Sequence, residues 1–255
     1  MQKLLNRVPE VTIYFWMIKV LATTVGETAA DFLAITLNLG LDVTSLIMSG
    51  VLLFAVLFQL RFKRYVPASF WSVVVLISIV GTLISDKLID DLGVSLVTTT
   101  AMFSVALLAV FTLWYANEKT LAMHSINTAK RELFYWAAVL FTFALGTATG
   151  DLLSEALGLG YKTAAFVFGA AIAIIAVGYY RFAMNAILAF WLAYILTRPL
   201  GASLGDLLSQ PTTNGGFNYG TLGTSMLFLS IIASLVIYLS FKQKKPALLP
   251  IDPQD

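Results

Sequence analysis

The sequence predicts an all-α integral membrane protein of about eight transmembrane helices, built from four copies of a two-helix unit. Three observations predict it. Of 255 residues, 59% are hydrophobic and 12% charged, against about 45–50% and about 25% in soluble domains. Apolar runs of about 20 residues, the length that crosses a bilayer, recur along the whole chain. One spaced motif appears four times. This composition excludes a soluble globular enzyme and a disordered chain. A net charge of +2 without a basic stripe excludes a nucleic-acid-binding domain.

The first span covers roughly 11–37. It follows Lys3 and Arg7 and so imitates a signal peptide, but its pattern recurs and marks it as structural. Spans at 43–60, 68–89 and 94–116 complete a first four-helix half, residues 1–122. Spans at 132–157, 163–180, 183–208 and 220–241 form a second half, 123–245, and leave a cytoplasmic tail at 246–255. The loops on one side hold twelve Lys and Arg residues and those on the other hold two, Lys87 and Lys162. The excess marks the cytoplasmic side, so a bacterial inner-membrane protein with both termini cytoplasmic is expected.

Internal symmetry is the strongest signal. A shift of 120 residues aligns Trp16, Gly26 and Asp31 with Trp136, Gly146 and Asp151, and a shift of 55 aligns them with Trp71, Gly81 and Asp86. Trp191, Gly201 and Asp206 complete the set. The unit is an aromatic residue, Trp, nine residues, Gly, four residues, Asp, one residue, Leu. Each hairpin returns to its starting side, so the repeats are parallel, and two successive duplications explain them.

Trp and Asp are fifteen residues apart, about 22 Å of helix. With each Trp in an interfacial belt, the four carboxylates share one depth in the outer half of the membrane. A small residue precedes every Asp: Ala30, Ser85, Gly150 and Gly205. With Gly26, Gly81, Gly146 and Gly201 these give small-xxx-small spacing, which lets backbones approach closely. The odd-numbered helices are therefore expected to form an inner ring with the even ones outside. A charged carboxylate at such depth costs about 2.5–3.5 kcal/mol on insertion scales, so four at one depth point to a shared polar cavity.

Further polar residues fall inside spans. Glu27 occurs in one repeat only, and Lys19, two turns earlier, is a candidate partner for it. Arg198 precedes Pro199, which interrupts the seventh span. Asp90 and Glu155 stand four residues after their repeat's Asp, and hydroxyls such as Thr23, Thr82 and Thr147 supply neutral oxygens. Carboxylates, hydroxyls and carbonyls make a hard oxygen site suited to Mg, Ca or Mn ions. The absence of Cys and a lone His124 in a loop remove thiolate sites, Cys nucleophiles and imidazole cages. Zinc-type His pairs, phosphate loops and nucleophile elbows are absent too, so no enzymatic activity is expected.

The segments GETAADFL (26–33), RELFYWAAVLFTFALGTATGDLL (131–153) and FWLAYILTRPLGASLGDLL (190–208) resemble bacterial inner-membrane proteins labelled "uncharacterised membrane-anchored protein". A looser likeness is to bacterial manganese and cation exporters with Gly-Asp motifs. Gly150-Asp151 and Gly205-Asp206 match that pattern, while Ala30-Asp31 and Ser85-Asp86 do not. The expected function is transport of a hard cation, specifically export of a Mn²⁺-like divalent ion, with proton coupling available. Asp31, Asp86, Asp151, Asp206 and Glu27 form the expected ion site. Two alternatives stay open: a passive cation or proton channel, and a non-transporting scaffold or partner subunit. Expected partners are the bilayer, a small inorganic cation and a second copy of the chain. No cofactor beyond the transported ion is expected.

Overall fold

The computed structural model describes residues 6–244, so the 246–255 tail lies outside the described residues. Eight long helices follow one another: α1 (Ile13–Asp31), α2 (Gly40–Gln59), α3 (Pro67–Asp86), α4 (Leu96–Glu118), α5 (Ala129–Asp151), α6 (Gly160–Arg181), α7 (Ala186–Ser209) and α8 (Thr221–Lys244). Among the described residues there is no strand. Local chemistry sets the starts. The side chains of Thr12, Ser95, Thr128 and Asn185 accept hydrogen bonds from first-turn amides of α1, α4, α5 and α7, and Pro67 opens α3 where no amide hydrogen is needed.

α1, α3, α5 and α7 form a closed ring in which each packs on two neighbours, in the order α1, α3, α5, α7 and back to α1. The even helices stand outside. Each leans on the inner helix that follows it in sequence: α2 on α3, α4 on α5, α6 on α7, and α8 back on α1. The inner helices α3 and α5 bury 67% and 61% of their apolar windows, the outer α2 and α4 only 11% and 17%. Leu46, Phe54, Phe166 and Ile174 on the outer helices stand exposed. An exterior of large apolar side chains is what lipid, and not water, solvates.

The character of these helices is that of a multi-pass membrane protein. Seven of them are long and apolar enough to cross a membrane, not the eight expected. The exception is α1, because Lys19 and Glu27 lower its hydropathy. Those residues are tolerable there because α3, α7 and α8 enclose the helix.

The four-repeat rule extends to packing. A Cβ added to Gly26 would overlap Ser78, one on Gly81 Phe143, one on Gly146 Arg198, and one on Gly201 Thr23. These four partners occupy one equivalent position, three residues before the glycine of each repeat. Each inner helix therefore presses the same register position into the glycine of its neighbour, which closes the ring. The small residues expected at the interfaces serve this contact.

The motif tryptophans depart from expectation. Trp71, Trp136 and Trp191 are buried and Trp16 is half-buried, so they are not a lipid-facing belt. Their rings pack with Phe15, Phe70, Tyr135, Phe190 and Tyr194 into an aromatic plug across the inner ring at the end where α1 begins and α8 finishes. The indole N–H of each of these three buried motif tryptophans finds a polar acceptor on that side: Tyr65 Oη for Trp71 (3.0 Å), Glu132 Oε1 for Trp136 (3.4 Å) and Leu121 O for Trp191 (3.0 Å). A polar handle on an apolar body suits such a position within the bundle as well as at a lipid interface.

Candidate functional site

In three repeats the Asp that ends the inner helix is followed at once by a π-helical turn: Phe32–Thr36, Lys87–Asp91 and Leu152–Ala156. Such wide turns interrupt the regular ladder and recur at functional sites. In the fourth, α7 stays α-helical to Ser209 and carries its irregularity upstream, at Pro199.

These helix ends surround one cavity of about 220 Å³. Asp31, Asp86, Asp151 and Asp206 all line it, joined by Glu27, Asp90, Glu155 and Gln210, and no basic side chain does. The Gln210 amide donates to Asp31 Oδ2 at 3.3 Å, and the Tyr161 hydroxyl to Glu155 Oε1 at 3.4 Å. The carboxylates stand around the space without converging. Among the described residues no three His, Cys, Asp or Glu side chains gather closely enough to hold a metal ion. Lys87 turns away to pair with the exposed Asp42.

Below the cavity, toward the termini, lies a tier of equivalent positions: Glu27, Thr82, Thr147 and Ala202. The fully buried Arg198 reaches into it from α7. Its Nη2 donates to Glu27 Oε2 (3.0 Å), to Thr147 Oγ1 (2.7 Å) and to Thr82 Oγ1, and Nη1 lies 3.4 Å from Thr23 O. The expected Lys19–Glu27 pair does not form. Eight residues of helix separate the two by about 12 Å, whereas Arg198 reaches Glu27 from across the ring. Lys19 is fully buried one level lower, with Nζ 4.1 Å from the Phe143 ring centre and 4.2 Å from that of Tyr194. No hydrogen-bond acceptor reaches it.

At the terminal end, beneath the plug, Glu132 is buried and accepts from Arg7 Nη1 (2.9 Å) and Gln59 Nε2 (3.0 Å). The segment bearing Arg7 crosses this mouth. Its backbone bonds the loop before α3 (Tyr65 N to Asn6 O) and the loop before α5 (Arg7 N to Ile126 O), both at 2.9 Å. Sequence reading did not single out Glu132, Gln59 or this crossing. Arg7 stands out in the sequence only as a basic residue ahead of the first span, and a Glu in a helix's first turn carries no sign of burial. His124 is exposed, as a loop residue should be.

A family model described as Repeat of Unknown Function (DUF347) matches this chain four times, over residues 14–65, 69–120, 134–185 and 189–245. The starts reproduce the internal shifts of 55 and 120 residues. No curated protein and no solved structure matches the chain.

Proposed function

The chain belongs to the DUF347 repeat family, and from that premise we propose that it is a membrane transporter of a small hard cation. The observation that carries this reading is the cavity in which four repeat-equivalent aspartates meet with no basic side chain among them. Its negative field concentrates cations. Its spacing suits an ion that keeps part of its water shell, as Mg²⁺-like divalent ions do, and export of a Mn²⁺-like ion is the specific form to test first. Asp31, Asp86, Asp151 and Asp206 would hold the hydrated ion, with Glu27 at the cavity floor.

A carrier fits better than an open channel. Arg198 lies buried on the inner side of the same ring, and fixed positive charge on a path bars free cation flow. The setting would be a bacterial inner membrane with both termini cytoplasmic and the cavity facing outward, the bilayer and another copy of the chain being the proposed partners.

The test is purified protein in liposomes loaded with a divalent-sensitive dye, comparing Mn²⁺, Mg²⁺, Ca²⁺ and Zn²⁺. Saturable flux of a hard ion, abolished by Asp31→Asn or Asp151→Asn in folded protein, supports the reading. Absence of any flux, with both variants less thermostable than the parent, makes the quartet structural and the protein a scaffold.

A further inference from the structure

The tier beneath the cavity has the donor set of a cation site, and the group now in it fits it poorly. Three oxygens, from Glu27, Thr82 and Thr147, converge on a single nitrogen, Nη2 of Arg198. That nitrogen carries two protons for three acceptors, while the Nε proton of the same guanidinium is buried with no acceptor at all. A guanidinium is a flat fork that matches carboxylates two bonds at a time. Oxygens gathered about one point are the coordination of a compact cation.

The hydroxyls are oriented for that role. Thr82 Oγ1 gives its proton to Ser78 O (3.1 Å) and Thr147 Oγ1 to Phe143 O (3.4 Å). Each therefore turns a lone pair toward the centre. The three positions are equivalent in their repeats, the fourth being Ala202, and Arg198 is the one basic residue at its own repeat position. Two features give that side chain room to enter and leave. Its stem passes over Gly146, where any Cβ would block it. Its backbone adjoins Pro199, which has no N–H for the carbonyl four residues earlier and so leaves α7 a weak point there.

Building on the transport reading of the same axis, we infer that Glu27, Thr82 and Thr147 form a second, inner site for a compact cation, held here by the chain's own Arg198, which a migrating cation must displace. One turn outward of each member stands an Asp of the cavity: Asp31, Asp86 and Asp151. An ion thus passes between two tiers of oxygen ligands on the same three helices.

The experiment is thermal unfolding of purified full-length Arg198→Ala protein in detergent, with Na⁺, Mn²⁺ or the bulky tetramethylammonium as chloride at matched ionic strength. Saturable stabilisation by Na⁺ or Mn²⁺ and none by tetramethylammonium is expected, and it should vanish in Arg198→Ala/Glu27→Gln. Equal response to all three salts overturns the inference. Should Arg198→Ala yield no folded protein, phenylglyoxal labelling of Arg198 in the wild-type chain decides. Several-fold more adduct with Na⁺ or Mn²⁺ than with tetramethylammonium supports displacement, and an unchanged adduct overturns it. None of these readouts needs transport. Mn²⁺ uptake without cation-selective stabilisation therefore removes the inner site alone, and stabilisation without uptake removes the transport reading alone.

Discussion

The two ends of the inner ring obey different rules. At the acidic end the four repeats agree: four aspartates, four small residues before them, one shared cavity. From Glu27 toward the other end the glycines and tryptophans still recur but the charged residues do not, with one Glu27, one Arg198, one Lys19 and one buried Glu132. The difference is geometric. Around the wall of a cavity there is room for four copies of a carboxylate, whereas a guanidinium reaching across a narrow ring fits only once. Repetition therefore survives on the perimeter, and symmetry breaks at the centre.

The largest effect should come from the glycines, on which both ends depend. Gly81→Val sets a branched side chain against the Cβ and backbone of Phe143. The blocking atoms are a Cβ and backbone that cannot swing aside, so the cost goes beyond that of ordinary core overpacking, and size-exclusion chromatography should show most of the folded fraction gone. If Gly81→Val matched the parent in melting temperature, the ring would not be closed by these contacts.

Next come the central charges. Arg198→Met leaves Glu27 buried without its counter-ion, and breaking such a pair costs about 3–5 kcal/mol. Arg198→Met/Glu27→Met should recover most of that loss, because two apolar residues replace a costly desolvated pair. A double variant no more stable than the single would mean that solvent in the open cavity already relieves Glu27. Lys19→Met should be neutral or stabilising in the same melts, since it removes a buried polar nitrogen with no hydrogen-bond acceptor. A clear drop in melting temperature would mean that the contacts with Phe143 and Tyr194 outweigh that loss of hydration.

The smallest effect on stability belongs to the perimeter. Asp86→Asn, at the edge of a solvent-reaching cavity, should change the melting temperature little. Under the transport reading it lowers Mn²⁺ flux about tenfold, as removal of one charged contact worth about 1.4 kcal/mol would. A variant that loses stability and keeps flux would place this aspartate with the structural residues.

The perimeter was legible in sequence for the same reason that it is symmetric. Gly26, Asp31 and their counterparts recur at fixed spacing, so the repeat, the inner ring and the gathering of the aspartates around one cavity followed from the letters. The centre was not legible, because its partners come together across the ring. Nothing in the spacing of Glu27 and Arg198, 171 residues apart, announces their pairing, and the nearer Lys19 was the more natural candidate. Aligning the tier Glu27, Thr82, Thr147 and Ala202 would have shown three oxygen-bearing positions facing one another. The tryptophans misled because an aromatic residue near a helix start looks alike whether its ring turns to lipid or to the axis. Neighbouring aromatics at equivalent positions, Phe15, Phe70, Tyr135 and Phe190, were the available sign that it turns inward.

The return of α8 onto α1 carries a consequence for biogenesis. Of the eight helices described, α1, whose polar residues most need enclosure, leaves the ribosome before α8, which covers its flank. At about 5–20 residues per second, α1 waits roughly 10–40 s for its cover. The insertion machinery, or the early pairing of α1 with α3, must shelter Lys19 and Glu27 through that interval. A nascent chain stalled before residue 221 would expose a half-open ring to membrane quality control.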